Sequence, residues 1–182
     1  MELRRALVVG GTGMLAGVVE GLAARGWSVA VVARSRARLD ALAGHPIISA
    51  HPVDYGDPEA FESVVRGVLP IDLAVAWIHS TAPEAPMQLA RLVANVERPV
   101  QLHHVLGSAA GRAPASSMAA RLASIPGIRY RQIVLGYVRE QDGSRWLTHK
   151  EIAAGVLEAI DSGASRSVVG RLEPWSEQPG GA

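Results

Sequence analysis

The stretch ALVVGGTGMLAGVVEGLAARGWSVAVVARS, from Ala6 to Ser35, decides how the chain is read. Four apolar residues run into Gly10-Gly11-Thr12-Gly13, a helix-periodic segment follows, and a second apolar run stops at Arg34. That order predicts a buried strand, a tight turn and a helix, with a parallel strand next. Such a turn presents backbone N–H groups at a helix N-terminus, where an anion is stabilised. Gly10 and Gly13 let the main chain approach the anion closely, and small Ala16 lets the helix pack on the first strand. Gly10, Gly11, Thr12, Gly13, Met14 and Leu15 are the candidate cradle for a phosphate group.

The same alternation continues to the far end of the chain. Strands are expected at Leu3–Val9, Trp27–Ala33, Pro46–His51, Ile71–Ile78, Val100–Leu106, Ile128–Val138 and Ser167–Arg171. Helices are expected over Met14–Arg25, Ser35–Leu42, Asp57–Val68, Thr81–Val96, Ser116–Ser124 and Thr148–Ile160. Asp57-Pro58 supplies an N-cap and an N1 proline, while the Thr81/Glu84 and Thr148/Glu151 spacings read as capping boxes. Strands alternating with helices imply an α/β, doubly wound parallel sheet, a Rossmann arrangement of about seven strands. One domain over residues 1–176 is expected, with a disordered tail over residues 177–182.

Composition narrows the function classes. At 182 residues, 48% hydrophobic and 19% charged, the chain suits one soluble globular domain. A net charge of +1 points to neither nucleic acid nor an anionic membrane as partner. The apolar region Ala6–Ala24 is interrupted by glycines and Glu20, so it reads as strand-turn-helix, and a cytoplasmic location is the default expectation. With no cysteine, disulfides, thiolate metal sites and a cysteine nucleophile are excluded. His103 and His104 are adjacent on a strand and point to opposite faces, so no metal site is expected there or around His45 and His51. Neither a Walker A lysine nor a Gly-x-Ser-x-Gly elbow is present.

The second strand ends in ARSRARLD, with no acid before Asp40. An acid there meets a ribose 2′-hydroxyl, whereas an arginine pairs with a 2′-phosphate and stacks on adenine. Arg34 and Ser35 therefore favour NADP over NAD. Asp54, after the third strand, is placed either to accept the adenine amino group or to close an Asx-turn.

In this order, VVGGTGMLA, the Arg34 cluster, Asp54, LAVAWIHS and HHVLGSAA resemble the short-chain dehydrogenase/reductase family over nearly the whole chain. The glycine spacing and SRWLTHKEIAAGV are similar to its extended and atypical branches. The resemblance implies the strand order 3-2-1-4-5-6-7. It also implies that Trp77, Ile78 and His79 back the cofactor ribose and that Ser108 takes the catalytic serine's position. The departure is equally specific. Standard members use Tyr-x-x-x-Lys, in which the lysine lowers the tyrosine pKa for general acid–base work. Lys150 is the only lysine here, and Trp146 stands four residues before it.

Trp77, His79, Ser80, Ser108, Tyr137 and Trp146 are the candidates for chemistry at the C-terminal edge of the sheet. Ser108 would polarise a carbonyl or merely cap a loop; His79 would move a proton or merely close a strand. Tyr137 is read as packing or a cofactor contact, because without a lysine its phenol is a poor base. The resulting expectation is an NADP(H)-dependent oxidoreductase acting on a small, unidentified substrate. A non-catalytic NADP(H)-binding sensor or regulatory protein is the alternative, and an interaction module without nucleotide a third class. A homo-oligomer is expected, most simply a two-fold dimer.

Overall fold

The computed structural model of the chain describes residues 3–42, 44–111 and 117–180. The first apolar run forms β1 (Arg5–Val9) and the second β2 (Ser28–Ala33), paired in parallel with Arg5 opposite Ser28 and Val9 opposite Val32. Helix α1 (Ala16–Ala24) carries the crossover between them. The pattern repeats through α2 (Arg36–Leu42), β3 (Ile48–Pro52), α3 (Pro58–Val68), β4 (Leu73–Trp77), α4 (Ala85–Val93) and β5 (Val100–Leu106). After α5 (Ser117–Ala123) come β6 (Ile128–Leu135), β7 (Tyr137–Glu140), β8 (Gly143–Trp146), α6 (His149–Ser162) and β9 (Arg166–Val169).

Seven of these strands form one parallel sheet in the order β3-β2-β1-β4-β5-β6-β9. Val8, Val31, Val75 and Ile133 face one helical layer, containing α1 and α6; Leu7, Val32, Ala74 and Leu102 face the other, containing α3 and α4. Burial on both faces is why these strands are apolar runs rather than alternating patterns. The two layers make the doubly wound fold expected from the sequence, within one domain.

Local signals account for several element ends. Asp57 caps α3 by accepting from the Ala60 amide at 3.1 Å. Thr148 and Glu151 form a reciprocal capping box on α6, and Gly163, in the left-handed region at φ 66°, ends that helix. The Thr81/Glu84 box does not form. Turns at His79–Ala82 and Ala82–Ala85 occupy that segment, and α4 begins where Pro86 can sit without losing a helical hydrogen bond.

The expected sixth strand stops early. At Gly136 a Cβ would collide with the Arg171 carbonyl, and beyond it Tyr137–Trp146 folds back as the antiparallel β7–β8 hairpin. The chain's seventh sheet strand is therefore β9. Glu177 and Gln178, expected in a disordered tail, are held against this hairpin and the β5 end. Ser144 Oγ donates to the Glu177 carbonyl, Arg139 pairs with Glu177 at 3.2 Å, and Ser108 Oγ lies 3.5 Å from Gln178 Oε1. Ser116, the expected start of the fifth helix, and residues 181 and 182 lie outside the described residues. No helix among the described residues is long and apolar enough to cross a membrane.

Candidate functional site

Parallel crossover topology gathers the loops after β1, β2, β3 and β4 at the C-terminal edge of the sheet, where open α/β folds bind ligands. A cleft of about 360 Å³ lies there. The β1–α1 turn contributes Gly10, Thr12, Gly13 and Met14; the end of β2 contributes Ala33, Arg34, Ser35 and Arg38. Tyr55, Trp77 and His79 enter from the loops after β3 and β4, and His149 enters from the start of α6. Among the described residues that line this cleft are two arginines and two histidines, and none of them carries a carboxylate.

The glycines divide their work. Gly10 sits at φ 79°, and a Cβ on it would stand 2.6 Å from the Trp77 carbonyl oxygen, so only glycine lets the turn pass β4. Gly11 faces inward: its Cβ would meet Val31 at 2.7 Å and Val8 and Val19 at 3.1 Å, which makes it a packing glycine. A Cβ on Gly13 would meet nothing within 4 Å. That open space belongs to the cleft. Leu15, placed in the cradle by sequence, buries its side chain completely in the core. A turn with glycines at Gly10 and Gly13 leading into a helix N-terminus, with Arg34 and Arg38 in the same cleft, fits the phosphates of a dinucleotide.

Arg34 is exposed and stands 4.0 Å from Asp54, too far for a hydrogen bond. Asp54 itself accepts from the Gly56 amide at 2.8 Å, so the Asx-turn alternative is the arrangement present. Ser35 Oγ accepts from the Arg38 amide at 3.4 Å and so stands at the start of α2, as its cap. Tyr55, which the sequence reading passed over, accepts from the His79 amide through its hydroxyl oxygen at 3.3 Å and ties the β3 and β4 loops together.

Trp77 and His79 share one wall, their rings edge-on at 5.7 Å. The Trp77 indole reaches across to β5, where a Cβ on Gly107 would lie 3.8 Å from its far edge. Ile78 packs instead against the α3–α4 layer. His79 and Ser80 are exposed, and Ser108, on a short 3-10 turn after β5, is half-buried.

Tyr137 is not at the cleft. Its side chain is fully buried, and its hydroxyl donates to the Pro174 carbonyl at 2.9 Å. Of the two readings given to Tyr137, packing is the one the structure displays, its phenol enclosed and its hydroxyl already bonded. Trp146 lies on β8 and is 49% exposed. Arg145 beside it binds Glu151 with two bonds of 2.8 and 2.9 Å and Glu140 at 2.6 Å. Arg145 and Thr148 hold the Glu151 carboxyl at about 2, well below the usual range, and the bonds to Glu151 and Glu140 push the Arg145 guanidinium up. This network fixes the start of α6.

His103 and His104 face opposite layers of the sheet. Burial, with Arg131 nearby, lowers His103 to about 4, and burial lowers His104 to about 4. Both are neutral at pH 7. No group of three or more metal-ligating side chains occurs among the described residues.

No protein-family model and no curated protein matches the sequence. Solved structures do match the fold. A short-chain dehydrogenase from Sphingobium yanoikuyae in complex with NADPH is 21% identical, with a TM-score of 0.71 over 96% of this chain and 90% of that one. One from Burkholderia cenocepacia in complex with NADP is 20% identical, with a TM-score of 0.70 over 94% and 90%. A short-chain dehydrogenase/reductase from Vibrio parahaemolyticus is 13% identical, with a TM-score of 0.72 over 91% and 99%. The chain has the short-chain dehydrogenase/reductase fold.

Proposed function

We propose that this chain, with the fold of the short-chain dehydrogenases/reductases, binds NADP(H) and reduces a small carbonyl compound. The observation that carries the reading is the cleft's lining. The Gly10–Met14 turn, Arg34 and Arg38 meet there with no carboxylate among them, which selects a polyanion. The neighbours in complex with NADPH and NADP support the same choice.

Bound NADPH supplies a hydride for the substrate's carbonyl carbon. The chain's own part is to place that carbon and stabilise the negative oxygen that results. Ser108, beside the Gly107 that the edge of the Trp77 indole approaches and next to the lining residues of the cleft rather than among them, is the donor proposed for that oxygen. His79, exposed on the cleft wall, or water supplies the proton that completes the alcohol. Burial of Tyr137 and the missing Tyr-x-x-x-Lys favour a second reading, in which the chain binds the nucleotide without turnover.

Calorimetry with NADPH, NADP, NADH and NAD tests the first step. NADP(H) is expected to bind about ten- to a hundredfold more tightly, the worth of one charge-assisted hydrogen bond. Arg34→Ala should erase that preference. Equal affinities in the unaltered protein refute the Arg34 argument. Tight NADPH binding without reduction of any compound in a broad carbonyl panel replaces the enzyme reading with the binding-protein one.

A further inference from the structure

Resting on the NADP(H) reading of the cleft, we propose that His149 binds the dinucleotide's pyrophosphate, as a second wall facing the Gly13 turn. Helices α1 and α6 both precede or follow parallel strands and so run side by side with their N-termini at the same sheet edge. Their packing has a constant register. A Cβ on Gly17 would lie 2.8 Å from the Ala153 Cβ, and one on Gly21 would lie 2.5 Å from Leu157 Cδ1. One turn further on, Arg25 bonds Asp161 at 2.9 and 3.1 Å. These three pairs share a sequence offset of 136 residues. That register ends with α1 at Ala16, and it sets the start of α6, with His149, alongside the turn that holds Gly13. Both residues line the cleft, and the side of Gly13 where a Cβ would stand is open.

The position of His149 is built rather than incidental. Thr148 and Glu151 cap the helix, and Arg145 clamps Glu151 with two bonds, which fixes the backbone at the first helical residue. The same bonds engage the Glu151 carboxylate, the acid nearest in sequence, and so reduce its repulsion of an incoming phosphate. The His149 side chain itself is exposed. An imidazole offers N–H donors to an oxyanion, facing the amides at the start of α1. Lys150, one residue on, is not among the lining residues.

Calorimetry with two probes tests the assignment: NADPH, and adenosine 2′-monophosphate, which keeps the 2′-phosphate but has no pyrophosphate. His149→Ala should weaken NADPH about tenfold and leave adenosine 2′-monophosphate within about twofold. His149→Arg, which restores a donor, should recover most of the NADPH affinity, and Lys150→Ala should change neither probe. The inference is overturned by NADPH affinity unchanged in His149→Ala, or by equal weakening of both probes, which would mark general damage. If the unaltered protein binds neither probe, the NADP(H) reading falls and takes this inference with it. Failure at His149 alone leaves that reading standing.

Discussion

Lowering the pH from 7 to 5 should strip stability from this protein through two histidines that it buries without charge. His103 is fully enclosed, with no hydrogen-bond partner for either ring nitrogen among the described residues, and Arg131 adds repulsion to its desolvation. His104 is 7% exposed, with Nδ1 3.2 Å from the Tyr130 hydroxyl. Both fold with values near 4, against 6.5 for an unperturbed imidazole. Between those limits the unfolded chain takes up two protons that the native protein refuses. The stability from their neutral burial is therefore complete above pH 6.5 and is lost as the pH falls toward 4. Integrated from pH 7 to pH 5, the pair costs about 3–4 kcal/mol, or a fall in Tm of roughly 10 °C for a domain of this size. Scanning calorimetry at pH 7, 6 and 5 and constant ionic strength measures it. His103→Leu combined with His104→Gln should flatten the dependence, the glutamine keeping an acceptor for Tyr130. His51, lowered by partial burial, remains in both proteins and shifts them alike. Glu151 contributes only below 4.5, on the way to its folded value of about 2. A fall in Tm below about 3 °C in the unaltered protein, or an acid limb that survives in the double variant, refutes the reasoning.

Two further sets of variants separate folding from function. Gly10→Ala forces a Cβ to within 2.6 Å of the Trp77 carbonyl at φ 79°, so it should cost about 1–3 kcal/mol of stability as well as NADPH affinity. Gly13→Ala places its methyl in open space, so Tm should stay within about 2 °C while NADPH binding, read by calorimetry, falls at least about tenfold. Tyr137→Phe removes the buried bond to Pro174, at about 1 kcal/mol of stability, yet should lower kcat less than about tenfold. Ser108→Ala should lower kcat about a hundredfold; NADPH oxidation with a substrate from the carbonyl panel checks both, and the reverse order refutes the roles assigned.

What the sequence determined by itself was local and periodic. Gly10-Gly11-Thr12-Gly13 between an apolar run and a helix-periodic segment specifies strand, turn and helix, because backbone conformation and burial of adjacent elements admit little else. Asp57-Pro58 and Thr148-x-x-Glu151 placed two helix starts correctly, since the capping partners lie within three residues of each other. Arg34 and the Gly13 turn were legible as cleft residues for the same reason: each follows directly from the end of a strand. The tertiary structure decided the rest. The Thr81/Glu84 spacing matches a capping box locally, yet turns and Pro86 set the start of α4 elsewhere. The end of β6 and the hairpin after it depend on the close approach of Arg171 to Gly136, 35 residues away in the chain. Tyr137 reads from sequence as packing or a cofactor contact, and its bond to the Pro174 carbonyl, 37 residues on, is set only by the folded chain. His149 entered the cleft because two glycines on α1 let α6 approach closely. A contact between residues 136 positions apart leaves no trace in either local pattern, since its energy arises only when the two helices are packed.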